Sequence, residues 1–221
     1  MSKLGARCLD FSLKSDLLAH PRFYPHITSF QDESSKKTVK FEYLQYLEGS
    51  EVAFKAQVCE TSELIVVKFA QRYGTEVHTL LQSSDLAPEI RCVQRLGSGY
   101  RNFDDSLLGW WMVVMDYVDG KTLQELYGPV TPIPKAIHDQ VKKGLDIIWK
   151  ERLVYGDLRR PNIMVDTKGA VKFIDFNWAG RKHDADVVYP ALLSAGVKWA
   201  SGAAAGSLIL VNHDIQMLSW L

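Results

Sequence analysis

Asp157 and Asn162 stand five residues apart in Tyr155-Gly156-Asp157-Leu158-Arg159-Arg160-Pro161-Asn162, and Asp175-Phe176-Asn177 follows thirteen residues after the asparagine. One carboxylate can orient a hydroxyl, while an amide oxygen and a second carboxylate hold a divalent metal against phosphates. That is the group set that phosphoryl transfer from Mg-ATP requires. Hard oxygen ligands suit Mg²⁺, which keeps several waters and takes few protein groups. A single aspartate in a turn is ordinarily only a turn residue; the joint spacing between apolar segments carries the reading. His183-Asp184-Ala185-Asp186 reads as a solvated loop rather than a metal cluster.

These groups need elements to hold them. Residues 163–165 and 171–174 are apolar strands joined by a turn at 166–169, and 154–155 adds a short strand ahead of the Asp157 loop. Ile137, Val141, Leu145 and Ile148 form one stripe of a helix over 134–153, with Pro134 early enough to be tolerated. Before residue 116, strands dominate: 41–47, 52–58, 64–69, 90–96 and 110–115, rich in β-branched and aromatic residues. A short helix is expected at 75–81 with Thr75 as its N-cap, and another around 10–19, stopped by Pro21 and Pro25. Asn212-His213-Asp214-Ile215 begins a last apolar helix, in which Asp214 can serve as an N-cap. Strands first and helices later predict an α+β fold of two lobes with a ligand cleft between them. The divisions are an N-terminal extension at 1–38, set off by the polar run 31–38, a first lobe at 39–115 and a second at 116–221.

A chain of 221 residues is long enough for one two-lobed domain with a real core. With 26 basic and 26 acidic residues, charge gives no reason to expect nucleic acid or an anionic membrane as a partner. Cys8, Cys59 and Cys92 form no CxxC pair, which fits a reducing intracellular compartment, cytoplasmic or nuclear. The start lacks the apolar run of a signal peptide, and the apolar stretches at 110–115 and 203–211 are too short to span a bilayer.

The stretches VVKFAQRYGTEVH, YGDLRRPNIMV and VKFIDFNWAG resemble the protein-kinase-like fold in a short, atypical version, over residues 40–221. Within it the chain looks most like the fungal kinase-like proteins and the kinase-type domains of Crinkler effectors. The resemblance implies an N-lobe with an antiparallel sheet and one helix, and a shortened, mainly helical C-lobe. It implies that Asp157 accepts the proton of the acceptor hydroxyl, that Arg159 faces the transferred phosphate, that Asn162 and Asp175 are the metal ligands, and that Asp214, rather than capping its helix, braces the Asp157 loop. Lys68 takes the place of the lysine that grips the α- and β-phosphates, with Glu76 as its ion-pair partner and Glu89 as the fallback. Of the glycine-rich loop over the phosphates only Gly49 is present; backbone amides in a tight turn can still meet phosphate. Gly97-Ser98-Gly99 lies too late to serve. Asp116, Tyr117 and Val118 would form the hinge whose backbone binds adenine, with Val66 covering the ring from above and Met164 from below. ATP and Mg²⁺ are the implied cofactors, and a protein substrate the implied partner.

Several residues depart from that pattern. Gly156 replaces the arginine that pairs with a phosphorylated activation loop, which removes the receptor for that switch. Tyr155 replaces a histidine, Asn177 replaces a glycine with a residue that tolerates left-handed backbone, and no Ala-Pro-Glu motif follows. The expected activity is that of an atypical Ser/Thr protein kinase. The alternatives are a non-catalytic ATP-binding interaction module and a small-molecule kinase of the aminoglycoside or choline type, for which 178–221 shows no acidic or aromatic cage.

Overall fold

A computed structural model describes residues 25–47, 52–97 and 109–221. The helix expected at 10–19, Gly49 and most of the loop at 97–109 lie outside the described residues.

The first lobe is a six-stranded sheet. Its strands are β1 (Ser29–Gln31), β2 (Thr38–Tyr46), β3 (Ala53–Val58), β4 (Leu64–Ala70), β5 (Ile90–Arg95) and β6 (Trp111–Asp116), in the order β1-β2-β3-β4-β6-β5 and antiparallel throughout. Period-two alternation puts Phe41, Phe54, Ile65, Val67, Phe69, Met112 and Val114 into one buried cluster. Phe41, Tyr43, Phe54 and Phe69 meet there edge to face. Phe30, 3% exposed, packs on Phe41 from β1.

The polar run 31–38 is therefore not a linker. It is the turn of a hairpin that joins β1 to β2, so the 38/39 boundary falls inside one sheet. The Asp32 carboxylate fixes the turn by accepting hydrogen bonds from the Ser35 N–H and the Ser34 and Ser35 hydroxyls. These bonds, the Ser35 N–H foremost, hold its pKa down at about 2. The same turn reaches the far edge of the sheet. The Glu33 N–H donates to the Arg91 carbonyl at 2.8 Å, and a Glu33 side-chain oxygen accepts from the Val93 N–H at 2.8 Å. Both edges of the sheet are thereby tied together.

Helix α1 (Thr75–Gln82) follows β4. Its cap is Gly74 rather than Thr75, and no side chain bonds the free N–H groups. Gly74 is required by closeness: a Cβ there would lie 2.5 Å from the Ala179 carbonyl oxygen, and the Gly74 N–H donates to the Phe176 carbonyl at 2.9 Å. The two lobes meet at this point.

The second lobe contains β7 (Gly120–Thr122), α2 (Leu123–Tyr127), α3 (Lys135–Lys150), β8 (Leu153–Val154), β9 (Ile163–Asp166), β10 (Val171–Phe173), β11 (Gly180–Arg181) and α4 (Val211–Leu218). A three-stranded sheet runs β10-β9-β7, and β11 pairs with β8. Helix α3 buries the expected stripe, Ile137, Val141, Leu145 and Ile148, beneath Phe173 and Phe176. Helix α2 begins with a reciprocal capping box between Thr122 and Glu125. No helix among the described residues is long and apolar enough to cross a membrane, and Cys59 and Cys92 are both free.

Candidate functional site

The loop between β8 and β9 is held from beneath by Asp214 on α4. One Asp214 oxygen accepts from the Tyr155 N–H and the other from the Gly156 N–H, each at 2.8 Å. Leu210, not Asp214, occupies the N-cap of α4, so Asp214 is the brace and not a cap. Burial raises its pKa to about 6 against the lowering effect of those two amides. Gly156 has φ +85°, and a Cβ there would lie 3.0–3.1 Å from Ile209 and the Trp178 carbonyl. An arginine could not stand there without rebuilding the loop. Tyr155 is buried, stacks edge-on against Phe173 and Phe176, and donates its hydroxyl to the Ile174 carbonyl.

Asp157 is 5% exposed. The Arg159 guanidinium grips it with a two-pronged contact, Nε to Oδ1 and Nη2 to Oδ2, the latter at 2.6 Å. Asn162 Nδ2 donates to the same Oδ2 at 2.7 Å and to the Asp157 carbonyl at 3.0 Å. Burial is the largest influence on Asp157 and pushes its pKa up, opposed by Arg159. Asn162 spends its amide N–H groups on Asp157, and its side-chain oxygen accepts no hydrogen bond from the described residues.

Lys68, 4% exposed and 107 residues away in sequence, places Nζ 2.7 Å from Asp175 Oδ1. The Asn177 N–H donates to that same Oδ1 at 3.3 Å, and Asp175 Oδ2 accepts no hydrogen bond from the described residues. Asp175 itself adopts left-handed backbone, φ +60°; Asn177 does not. The structure thus pairs Lys68 with Asp175 and Asn162 with Asp157, and brings the two carboxylates within electrostatic reach of each other.

Glu76 is not the partner of Lys68 in this structure. It lies on α1, about half exposed, and pairs with Arg181 on β11. Glu89 is exposed, and its carbonyl accepts from the Asp116 N–H. Val77, His78 and Leu81 are the fully buried side chains of α1, and His78 is the titratable one among them. Its Nδ1 meets the Tyr73 hydroxyl at 2.6 Å, its Nε2 meets the Pro88 carbonyl at 2.8 Å, and its ring stacks on Phe176 at 4.3 Å. Sequence reasoning missed His78, since a lone histidine in a helix carries no signal of its partners.

Burial holds the His78 pKa down at about 4, from the ordinary 6.5. As pH falls from 6.5 toward 4, the unfolded chain takes up a proton that the native imidazole refuses. Stability present above pH 6.5 is therefore lost by about 2 to 3 kcal/mol at this site. Asp214 runs the other way: the native carboxyl keeps its proton up to about pH 6, so its contribution grows as pH falls from 6 toward 3.8. We predict that His78→Phe flattens the acid limb. Urea unfolding at pH 7 and 4.5 should show the variant losing about 2 to 3 kcal/mol less than wild type between the two. Equal losses would contradict the assignment.

At the proposed hinge, the Asp116 N–H is taken by Glu89 and its carboxylate by Arg91, and the Tyr117 N–H donates to the Leu64 carbonyl. Val118 makes no backbone hydrogen bond with the described residues. Val66 and Met164 are both half-buried, on β4 and β9. Beyond Asn177, the structure gathers aromatic rings that the sequence left scattered. Trp178 packs on Tyr189 and Trp199 at 5.7 and 5.6 Å, and the Arg159 guanidinium lies 5.5 Å from the Trp199 ring. An aromatic cluster therefore does stand beside Asp157, contrary to the reading of 178–221 as lacking one.

Comparison with known proteins places these residues in context. The family described as the protein kinase domain matches residues 47–190, more than half of the chain. Mitogen-activated protein kinase kinase 9 of Arabidopsis thaliana is 28% identical over 131 residues, covering 57% of this chain and 41% of that protein. The serine/threonine-protein kinase PrkC of Bacillus subtilis is 26% identical over 156 residues, covering 68% of this chain and 22% of that protein. The chain thus spans less than half the length of these curated relatives.

Proposed function

The chain belongs to the protein kinase family, and from that premise we propose that it transfers the γ-phosphate of ATP to a serine or threonine hydroxyl of a protein. The convergence of Lys68, Asp157, Asn162 and Asp175, drawn from both lobes, carries the proposal. The names of the relatives support the Ser/Thr class.

The residues present fit ATP and Mg²⁺. Asn162 offers a side-chain oxygen and Asp175 a carboxylate oxygen that none of the described residues uses, a hard-oxygen pair suited to Mg²⁺. Bound Mg²⁺ supplies charge neutralisation across the phosphates. The backbone N–H and carbonyl of Val118, unpaired among the described residues, suit the adenine edge, between Val66 and Met164. Lys68 presents a buried cation to the phosphates, already oriented by Asp175. Asp157 accepts from the acceptor hydroxyl and is raised in pKa by burial, which moves it toward a working base. Arg159 keeps its carboxylate fixed in orientation. Asp214 fixes the loop that carries both.

The atypical character rests on Gly156, whose backbone leaves no room for a loop-binding arginine, and on Tyr155, which fills the histidine position and bonds the Ile174 carbonyl. The likeness to fungal kinase-like proteins and Crinkler domains is part of this proposal and rests on the quoted stretches alone. Glu76 must leave Arg181 to reach Lys68. Both side chains of the Glu76–Arg181 pair are half exposed, so the pair is worth no more than about 1 kcal/mol. Arg181→Ala should therefore raise the initial transfer rate, by up to about fivefold; a fall beyond tenfold would exclude this role.

A small-molecule acceptor is favoured by one observation, the Trp178–Tyr189–Trp199 cluster beside Arg159. Labelled γ-phosphate distinguishes the readings. Incubation with Mg-ATP should label a generic serine-rich protein and not free aminoglycoside or choline. ATP binding with no labelled acceptor of any kind would establish a non-catalytic binding module instead.

A further inference from the structure

One side chain, Arg72, ties the end of β4 to the chain beyond Asp175. It is half-buried, in the bend between β4 and α1. Its Nε donates to the Asn177 carbonyl at 2.9 Å. Its Nη1 donates to the Asp186 carbonyl and, at 3.2 Å, to the Val188 carbonyl. One planar fork therefore closes both ends of the segment 177–188. All three acceptors are backbone groups, so no side chain of that segment has to be charged or modified for the clamp to form. Beside it, the Gly74 N–H donates to the Phe176 carbonyl at 2.9 Å, which seats the same bend on the same segment.

Stability alone does not call for an arginine here. Burial works against its charge and lowers its pKa, with Asp186 and Asp184 offsetting part of that. Its Nη2 is buried with no partner among the described residues, an unfavourable state for a donor. An apolar side chain of similar length avoids both penalties, but it cannot aim donors at carbonyls on both ends of the segment.

The consequence for the site runs through Asn177. Arg72 holds the Asn177 carbonyl, and the Asn177 N–H donates to Asp175 Oδ1 at 3.3 Å. Those two groups belong to the planar peptide units on either side of one Cα, so fixing the carbonyl restricts where the N–H can point. Lys68 Nζ meets the same Oδ1 at 2.7 Å. Lys68 lies within β4 and Arg72 just beyond its end. Asp175 is thus held twice from one strand, directly by an ammonium and indirectly through backbone.

We propose that Arg72 is a positioning residue for the metal-holding carboxylate: by clamping the Asn177 carbonyl it keeps Asp175 Oδ1 on Lys68 and leaves Oδ2 for Mg²⁺. The role rests on the reading of Asp175 as a metal ligand, and two of its three tests need no phosphate transfer.

Arg72→Ala and Arg72→Lys are compared with wild type. Lysine keeps the charge and most of the stem but not the fork, so it should not restore what alanine loses. In the nucleotide-free protein, the Asn177 N–H should exchange with solvent about tenfold faster in both variants, while the Val114 N–H in the first-lobe sheet exchanges as in wild type. By calorimetry, Mg-ATP should bind both variants about tenfold more weakly, with ATP affinity in the absence of Mg²⁺ unchanged. In label transfer, the half-saturating Mg²⁺ should rise about tenfold and excess Mg²⁺ should restore most of the rate. A merely structural loss would instead lower the rate equally at every Mg²⁺ concentration. If Arg72→Ala shows no cooperative melting transition, Arg72→Lys decides alone. Wild-type exchange at Asn177, a parallel fall in ATP affinity with and without Mg²⁺, or full recovery in Arg72→Lys overturns the proposal. If wild type transfers no phosphate while exchange and Mg²⁺-dependent binding behave as expected, the proposed activity fails and the role of Arg72 stands.

Discussion

Asp157→Ala should lower the rate of phosphate transfer by about 10²–10⁴-fold, the span associated with a positioned general base, with ATP affinity largely kept. The expectation follows from how the carboxylate is held. It is 5% exposed, gripped by both prongs of Arg159 and by Asn162, and its pKa is raised by burial. The alanine variant also strands the Arg159 fork and the Asn162 amide, so its stability must be measured alongside. Asp157→Asn separates the two effects: it keeps size and much of the packing but loses the base, so its rate should fall as far as that of the alanine variant. A stable, folded Asp157→Asn protein with near wild-type turnover would remove Asp157 from the chemistry.

Lys68→Ala carries the second large effect. Removing a preorganised group that stabilises developing charge costs about 10²–10³ in rate. Here the loss extends further, because Lys68 Nζ holds Asp175 Oδ1 at 2.7 Å. Without it, a carboxylate with 24% side-chain exposure loses its counter-charge and its orientation together. Lys68→Arg should not restore the rate, since a planar fork cannot replace a compact ammonium in a pocket this tightly closed. Steady-state rates at saturating ATP, with thermal unfolding as the control for folding, check both variants. Wild-type turnover in Lys68→Ala would show that another cation faces the phosphates.

The candidate residues were legible as a group because three of them are local. Asp157, Asn162 and Asp175 lie within 19 residues, and apolar strands on either side mark their register. Lys68 was legible because it directly follows the β-branched run Ile65-Val66-Val67 within a strand. Burial and long-range partnering were less so. The polar run at 31–38 reads as a linker until Phe30 is seen packed on Phe41 and Glu33 bonded to β5. Thr122 and Glu125 carry an N-cap signature in plain view, yet the five-residue helix they start is too short to show periodicity. The partner of Glu76 depends on where β11 falls, 105 residues later. The two candidate roles of Asp214, cap and brace, differ only in whether its oxygens meet its own helix or the Tyr155 and Gly156 amides. No spacing rule separates them. Gly156 is the instructive case: as a sequence feature it marks the absence of a switch, and as a structural one it marks a turn in left-handed backbone pressed against Ile209.

The most direct test of the account is label transfer by the wild-type chain itself. Purified protein is incubated with γ-labelled ATP and a serine-rich acceptor, with Mg²⁺ and in parallel with excess chelator, and covalently bound label is counted over time. The account predicts a linear rise of label in the acceptor that requires Mg²⁺, consistent with Asn162 and Asp175 as the metal-holding pair. ATP binding without any such transfer, with or without Mg²⁺, would contradict it.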